Sequence, residues 1–274
     1  MSGHVLTGTR SVATDLTTDG VGLIDFPVDA LVPQVVEGWQ KFLLKDQKEK
    51  LRWCFLDHGN FDDFGGRFEG PDDGYICRKG ESRLLDGESY DIKEFFHYKK
   101  ALPSFLAKAR VDTRAETEWL ENLKVLHSKC IEEYLAITAE LEAHFPGHSL
   151  LARAKRGRDF GLPTLRLICY KQAREVGEGI AKMHKDRNWL TLHLADSVRG
   201  LVYVKNGERV EYVKEPNRAL VFPGKKAEKL LGSALPALNH GVEGVPESIG
   251  ERRWTVVFFG HIDLWLTPEE RSAR

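Results

Sequence analysis

The sequence predicts a mixed fold (α+β) with a mainly β core, in which a jelly roll is flanked by N-terminal helices. Helical spacing of apolar residues is strongest in the first half of the 274-residue chain. From residue 163 onward, short β-prone runs follow one another with turn residues between them. No helical segment there is long enough to connect parallel strands, so we expect antiparallel pairing in a sandwich or barrel.

The N-terminal half is predicted to alternate helices with strands and loops. The run "GVGLIDFP" at 20–27 favours a strand, and Asp29 is positioned to cap a helix over about 30–50. An apolar stripe at three- and four-residue steps predicts a long helix at about 115–144. The segment 57–90 is rich in glycine and aspartate, and we expect it to be largely loop.

The C-terminal half is predicted to consist of short strands. Each combines β-branched or aromatic residues with flanking turn residues such as "KNGE". The predicted strands are "TLRLICY", "WLTLHL", "GLVYV", "RVEYV", "ALVFP" and "RRWTVVFFG". Because no internal repeat or low-complexity linker divides the chain, we expect a single domain over 1–274, with a helical part and lid loops at 1–162 and the jelly-roll core at 163–262.

The composition excludes several classes of function. The formal net charge is −1 and charges of both signs are interspersed. The sequence therefore lacks the basic stripe that would predict binding to nucleic acid. The longest apolar run, at 254–260, is too short to cross a membrane, and the N-terminus lacks the pattern of a secretion signal. The four cysteines lie far apart without a C-x-x-C pair, and we expect reduced thiols in a cytoplasmic protein.

A histidine and a carboxylate two residues apart, His184 and Asp186, precede a β-prone run. In a strand, both side chains would project from one face and supply two ligands from one rigid element. A non-haem iron(II) site of the facial-triad type needs two histidines and one carboxylate, and leaves three positions open. His240, in a later segment, is the candidate for the second histidine. A rival pair, His261 and Asp263, has no histidine after it and cannot repeat this order.

The last predicted strand carries a second polar constellation. Arg253 and Thr255 share one face of "RRWTVVFFG" by the two-residue period of a strand, whereas Arg252 points the other way. A guanidinium with a neighbouring hydroxyl is a good receptor for a carboxylate, because it donates parallel charge-assisted hydrogen bonds. The strand therefore predicts a site for an acidic ligand.

These elements, in this order, resemble the iron(II)- and 2-oxoglutarate-dependent dioxygenases of the isopenicillin N synthase-like family. That family typically has "HTDxGLLTLL", "GGLQV-KDG-W", "ALVVNIGD", "HRV" and "RYSIAFF". This chain has "HKDRNWLTLHL", "RGLVYVKNGERV", "RALVFPGK", "NHGV" and "RRWTVVFF" in the same order. The resemblance is strong over about 163–260 and weaker at "VGLIDFP" and "YDIKEFF" in the N-terminal half.

The resemblance implies a double-stranded β-helix, which is a form of jelly roll, with Fe(II) and the cosubstrates 2-oxoglutarate and dioxygen. It also implies oxidation of an unactivated C–H bond of a small molecule by hydroxylation, desaturation or cyclisation, with release of succinate and CO2. "LRLICYK" is similar to the family's "MNYYPP" strand, in which a tyrosine often contacts the cosubstrate. The implied metal ligands are His184, Asp186 and His240, and the implied 2-oxoglutarate contacts are Arg253, Thr255 and Tyr170.

Four positions depart from the family's pattern. Ile168 stands where the family usually has asparagine, Lys171 where it has proline, Lys225 where it has aspartate, and Gly241 where it has arginine. None is an implied ligand. The departures indicate a divergent chain, to which a substrate cannot be transferred from the family.

The residues that contact a substrate are less clearly indicated. We expect recognition to come from the 57–100 region, which could fold over the site as a lid, and from inward-facing strand residues. His193 is expected to be a satisfied or pocket-lining histidine. The candidate substrate contacts are Arg67, Tyr75 and Arg78 in the loop region, and Arg187 and Trp189 after the histidine–aspartate pair.

Two other functions remain open at this point. One is a non-haem iron oxidase on the same scaffold that needs no 2-oxoglutarate, against which the Arg253 and Thr255 pair argues. The other is a jelly-roll protein that binds or senses a ligand without turnover. Zinc is a weaker possibility for the metal, because zinc usually prefers tetrahedral sites of histidine and cysteine. The sequence leaves the substrate and the oligomeric state undetermined.

Overall fold

The computed structural model describes residues 11–55, 58–61, 67–69, 73–78 and 93–264. Within these ranges, no helix combines the length and the apolarity needed to span a membrane. The predicted long helix is confirmed as α5. The α-helices are α1 (Val12–Asp19), α2 (Val28–Leu43), α3 (Gln47–Leu51), α4 (Leu102–Lys108), α5 (Thr117–His144), α6 (Leu150–Asp159) and α7 (Lys225–Leu231).

The helix expected at about 30–50 is two helices, and its predicted cap is wrong. Helix α2 begins at Val28, so Asp29 lies in its first turn, and the Asp29 N–H donates instead to the Asn217 side chain at 3.1 Å. The break before α3 occurs at Asp46, whose carboxylate accepts from the Glu49 N–H at 2.8 Å. A capping aspartate competes with the preceding helix for the backbone, which explains the interruption.

The β-strands form a large and a small antiparallel sheet, together with one hairpin. The large sheet has the order β1-β12-β9-β14-β7-β6-β5-β2, the small sheet has the order β11-β10-β13-β8, and β3 pairs with β4. The strands are β1 (Gly22–Asp25), β2 (Cys54–Phe55), β3 (His58–Phe61), β4 (Arg67–Glu69), β5 (Asp73–Arg78), β6 (Lys93–Tyr98), β7 (Thr164–Gln172), β8 (Gly179–His184), β9 (Leu190–Asp196), β10 (Leu201–Lys205), β11 (Glu208–Glu211), β12 (Arg218–Pro223), β13 (His240–Glu243) and β14 (Arg252–Gly260).

The large sheet crosses the boundary that the sequence placed near residue 163. Strands β1, β2, β5 and β6 precede that boundary and add to the sheet on both of its sides. The described parts of the 57–90 segment, expected to be largely loop, include β3, β4 and β5. Their glycine- and aspartate-rich sequence has low strand propensity, so it did not predict these strands. Strand β5 is stabilised by its pairing with β6. The division into two parts stays a prediction.

The large sheet separates a helical layer from the space between the two sheets. Alternate residues of β7 point to opposite sides, as strand geometry requires. Leu165, Leu167 and Cys169 belong to the core formed with α1, α2 and α5. Ile168 and Tyr170 instead join a cluster that includes residues of the small sheet. Side chains on this inner face, between the sheets, are therefore the ones that can meet an enclosed ligand.

A partly buried carboxylate joins the first half of the chain to β14. Glu94, on β6, accepts hydrogen bonds from Lys50 at 2.9 Å and from Tyr75 and Arg252. Burial opposes ionisation, but these three donors outweigh it and lower the pKa of Glu94 to about 2. Tyr75 is fully buried in this network, so it is a core residue and not the substrate contact expected from the sequence.

Candidate metal centre and carboxylate receptor

Two histidines face each other across neighbouring strands of the small sheet. His184 ends β8, His240 begins β13, and the two are paired in register with ring centroids 4.5 Å apart. The Nδ1 of His184 lies 2.7 Å from the Lys182 carbonyl oxygen, and that of His240 lies 3.3 Å from the Leu238 carbonyl oxygen. Because a carbonyl oxygen only accepts, each Nδ1 is assigned the proton, and each Nε2 keeps its lone pair for a metal.

Asp186 completes the group from a loop and not from a strand. Strand β8 ends at His184, so the alternation expected from the sequence is not what brings the two residues together. One Asp186 oxygen lies 3.6 Å from the His184 Nε2 and the other lies 3.7 Å from the His240 Nε2. Thr191 donates its hydroxyl to the second oxygen at 2.7 Å, which fixes the direction of the carboxylate.

The loop that carries Asp186 is held against the start of α7. The Lys225 N–H donates to the Asp186 carbonyl oxygen at 2.7 Å, and the Gly224 N–H donates to the Trp189 carbonyl oxygen at 3.0 Å. A β-carbon at position 224 would lie 2.3 Å from the Asn188 Oδ1 and 2.4 Å from its carbonyl oxygen. Only glycine permits this close approach.

The charges of the three side chains depend on one another. Burial opposes ionisation of Asp186, but the nearby His240 and His184 outweigh it and hold the pKa of that carboxyl well below its usual range. Burial lowers the pKa of His240. Burial also opposes protonation of His184, but its contact with Asp186 raises the pKa of that ring overall. The ionised carboxylate of Asp186 thus lies beside the buried imidazole of His240, which favours the neutral form of the ring.

This donor set fits a divalent metal ion. The ligand atoms of His184, Asp186 and His240 all lie within 4.8 Å of one another. Octahedral ligands about 2.1 Å from an ion lie about 3 Å apart, so small rotations would let the three share one. The side chain of His184 is 48% exposed, against 12% for Asp186 and 9% for His240. One side of the group is therefore open, as a site for further ligands requires.

The predicted carboxylate receptor is assembled on the inner face of the large sheet. Arg253 is buried on β14 and donates to the Thr255 hydroxyl at 3.1 Å. Its guanidinium carbon lies 5.6 Å from the centroid of the Tyr170 ring, so all three predicted residues are together. The Nε of Arg253 is buried and has no acceptor in the described part of the chain. A guanidinium with an unused donor is suited to an acidic ligand.

A fourth residue at this receptor, Asp196, is one that the sequence did not indicate. Its Oδ1 accepts from Arg253 and Thr255, and its Oδ2 lies 2.6 Å from the His193 Nε2. Burial opposes ionisation of Asp196, but His193 and Arg253 outweigh it and lower the pKa of Asp196 to about 2. His193 is therefore a satisfied histidine, as expected. Asp196 reaches the receptor because it is paired in register with Thr255. The sequence alone does not reveal this register, so it could not indicate Asp196.

The departure at position 241 has a steric explanation. A β-carbon at Gly241 would lie 2.9 Å from both the Ala181 carbonyl oxygen and the Met183 sulfur. Strands β8 and β13 are thus too close at this point for a larger residue. The family's usual arginine cannot be accommodated here without moving the strand that carries His184.

The structure places the other candidates in three different settings. Trp189 is fully buried in the helical core and donates to the Thr138 hydroxyl at 3.2 Å, so it does not line the space between the sheets. Arg187 is exposed. The side chains of Arg67 and Arg78, and most of the expected lid, fall outside the described part of the chain. In the rival pair, Asp263 is bound to Arg156 at 2.9 Å.

Comparisons with known proteins identify the fold. No protein-family model and no curated protein matches the sequence. A protein of the 2OG-Fe(II) oxygenase family from Caulobacter crescentus is 20% identical with a TM-score of 0.68, over 94% of this chain and 86% of its own. T7H of Neurospora crassa, in complex with alpha-KG, is 16% identical with a TM-score of 0.67, over 95% and 84%.

A plant protein is similar to the same extent. AtDAO1, the dioxygenase for auxin oxidation 1 of Arabidopsis thaliana, is in complex with 2-oxoglutarate and is 14% identical, with a TM-score of 0.64 over 94% of this chain and 92% of its own. At such identities the likeness establishes the fold. The expected jelly roll is confirmed as a double-stranded β-helix, and this chain has the fold of the 2OG-Fe(II) oxygenases.

Proposed function

We propose that this protein is an Fe(II)- and 2-oxoglutarate-dependent oxygenase that oxidises a C–H bond of a small molecule. The observation that carries the proposal is the meeting of His184, Asp186 and His240 in one fold with the receptor of Arg253 and Thr255. Two imidazoles and a carboxylate suit iron(II), and the receptor suits the second carboxylate of a dicarboxylic acid. The specific relationship to the isopenicillin N synthase-like family and a cytoplasmic location belong to the same proposal.

In this proposal the protein's residues bind and orient. Iron would supply the dioxygen chemistry, in which 2-oxoglutarate is converted to succinate and CO2 while the substrate is oxidised. His184, Asp186 and His240 would hold the metal from one side only. Arg253 and Thr255, with Tyr170 beside them, would hold the far carboxylate of 2-oxoglutarate and so set its direction between the sheets. The outcome would be hydroxylation, desaturation or ring closure.

The proposed substrate is a small molecule, not a nucleic acid or a membrane lipid. Support comes from the bound molecules of structural neighbours, since T7H is in complex with thymine in one structure and with 5-formyluracil in another. JOX2, another neighbour, is in complex with 2OG, Fe and JA.

A 2-oxoglutarate-independent iron oxidase is a second candidate, and one observation favours it. The carboxylate of Asp196 already binds Arg253 and Thr255, so the receptor is served by the protein itself. An oxidase would take its electrons from its own substrate and would need no acidic cosubstrate. The two candidates therefore differ in their requirement for 2-oxoglutarate.

The test is turnover of the iron-loaded protein with a metabolite library. We expect succinate release that requires both Fe(II) and 2-oxoglutarate and is stimulated by at least one small molecule. His261→Ala is the matched control, because it removes the histidine of the rival pair and should leave succinate release unchanged. Product formed at full rate without 2-oxoglutarate would overturn the proposal in favour of the oxidase.

A further inference from the structure

The carboxylate of Asp196 occupies the position where an acidic ligand would meet Arg253. Asp196 is the last residue of β9 and is paired with Thr255 on β14. Its side chain is 7% exposed, and that of Arg253 is fully buried. The contacts of Asp196 with Arg253 and Thr255 are the ones that the second carboxylate of 2-oxoglutarate would need. The receptor is thus already engaged by a carboxylate of the same chain.

The ion pair between Asp196 and Arg253 should weaken the attraction of Arg253 for a second carboxylate. A buried guanidinium attracts an incoming carboxylate strongly only if its charge is not already balanced. Asp196 balances the charge of Arg253 and is ionised at neutral pH, since its pKa is about 2. A second carboxylate at this end of the pocket would meet an ion pair, and two like charges would share one guanidinium and one hydroxyl. Affinity for the ligand's far carboxylate must therefore be reduced.

We infer that Asp196 is a specificity-determining residue that competes with the far carboxylate of 2-oxoglutarate for Arg253 and Thr255. The inference rests on the proposed function. Asp196 makes binding of 2-oxoglutarate weak. It also reduces the ratio by which the protein binds 2-oxoglutarate more tightly than a 2-oxo acid that ends in a methyl group. The reason is that the bonds gained by the ligand replace bonds that the protein loses.

His193 makes the competition reversible. Its Nε2 lies 2.6 Å from the Asp196 Oδ2, whereas Arg253 and Thr255 contact the other oxygen. Asp196 can therefore release Arg253 and keep a hydrogen bond to His193. A displaced carboxylate keeps a partner and need not be buried alone.

The experiment compares two ligands and three proteins by calorimetric titration with Mn(II)-loaded protein, which binds ligands without turnover. The ligands are 2-oxoglutarate and 2-oxopentanoate, which has the same chain length without the far carboxylate. The proteins are the wild type, Asp196→Asn and the control Asp263→Asn, which removes the charge of another arginine-bound aspartate. We expect Asp196→Asn to bind 2-oxoglutarate about tenfold more tightly, because the like charge is gone. Binding of 2-oxopentanoate should not change, and Asp263→Asn should match the wild type.

The outcomes separate this inference from the proposed function. If the wild type binds 2-oxoglutarate and Asp196→Asn binds it equally or more weakly, the inference is wrong and the proposed function stands. If neither protein binds either 2-oxo acid, both fail. Should Asp196→Asn not fold, the wild type decides alone. A preference of about a hundredfold or more for 2-oxoglutarate over 2-oxopentanoate would show a fully available receptor and contradict the inference, whereas a smaller preference supports it.

Discussion

The hydroxyl of Thr191 offers a sensitive test of how the metal centre is organised. Thr191 is buried, donates to the Asp186 carboxylate at 2.7 Å and accepts from the Asn188 amide at 2.9 Å. Thr191→Val keeps the shape of the side chain and removes both hydrogen bonds. Asn188 retains a bond to the Leu190 carbonyl oxygen at 2.8 Å, so the loop keeps one of its anchors.

The expected loss follows from the role of the hydroxyl. Removing a group that orients a metal ligand typically weakens metal binding by about 10- to 100-fold, or about 1.4–2.7 kcal/mol. The variant should also lose about 1–3 kcal/mol of its free energy of unfolding, because Asp186 and Asn188 each lose a buried partner. Both losses arise at one atom, so a control must separate them.

Thr138→Val is that control. Thr138 is equally buried, donates to the Tyr134 carbonyl oxygen at 2.8 Å and accepts from the Trp189 indole at 3.2 Å. It lies in the helical core, on the other side of the large sheet from the metal centre. We expect Thr138→Val to lose similar stability in urea unfolding but to keep its affinity for Mn(II) in calorimetric titration. If Thr191→Val also keeps that affinity within about twofold, the hydroxyl does not organise the site and our reasoning about Asp186 is refuted.

Three further predictions follow from contacts described above. His184→Ala and Asp186→Ala should each abolish measurable iron binding and turnover, and normal iron affinity in either variant would refute the ligand assignment. Arg253→Ala should raise the 2-oxoglutarate concentration for half-maximal binding by at least about tenfold, with metal affinity unchanged. The effect is best measured in a protein that also carries Asp196→Asn, because Asp196 would otherwise be a buried carboxylate without its arginine partner. An unchanged 2-oxoglutarate concentration for half-maximal binding would contradict the receptor. The pKa of Glu94 in the folded protein, about 2, lies below the ordinary 4.5. The stabilisation that ionised Glu94 gives to the folded state is therefore present above pH 4.5 and is lost as the pH falls toward 2. Urea unfolding across this interval should show about 3 kcal/mol more loss in the wild type than in Glu94→Gln, and equal losses would contradict this.

The grouping of the candidate ligands could be predicted because it depends on residue types and on their order along the chain. His184, Asp186 and His240 are the side chains that a non-haem metal needs, and Arg253 and Thr255 share a face by strand period alone. The structure brings each group together. The strand argument for Asp186 was nevertheless wrong, because the strand ends at His184 and a loop held by α7 does the positioning.

What could not be predicted depends on partners distant in sequence. Asp196 meets Arg253 only because β9 and β14 pair in one particular register, and a slip of one residue would turn it to the other face. Strand β5 lies in a sequence whose glycines and aspartates favour loops, and pairing with β6 overrides that preference. The side chain that accepts from the first turn of α2 belongs to Asn217, which is 188 positions away from Asp29 in the sequence.

Among the described strands, β8 is at the edge of the small sheet and has β13 as its neighbour. An edge strand exposes backbone groups that can pair with other chains. A metal shared by His184, Asp186 and His240 would tie this strand to the loop after it and to β13. Under the proposed function, protein that lacks the metal would therefore be more easily cut by proteases near β8 and more prone to self-association there, so metal supply would affect how long each molecule persists.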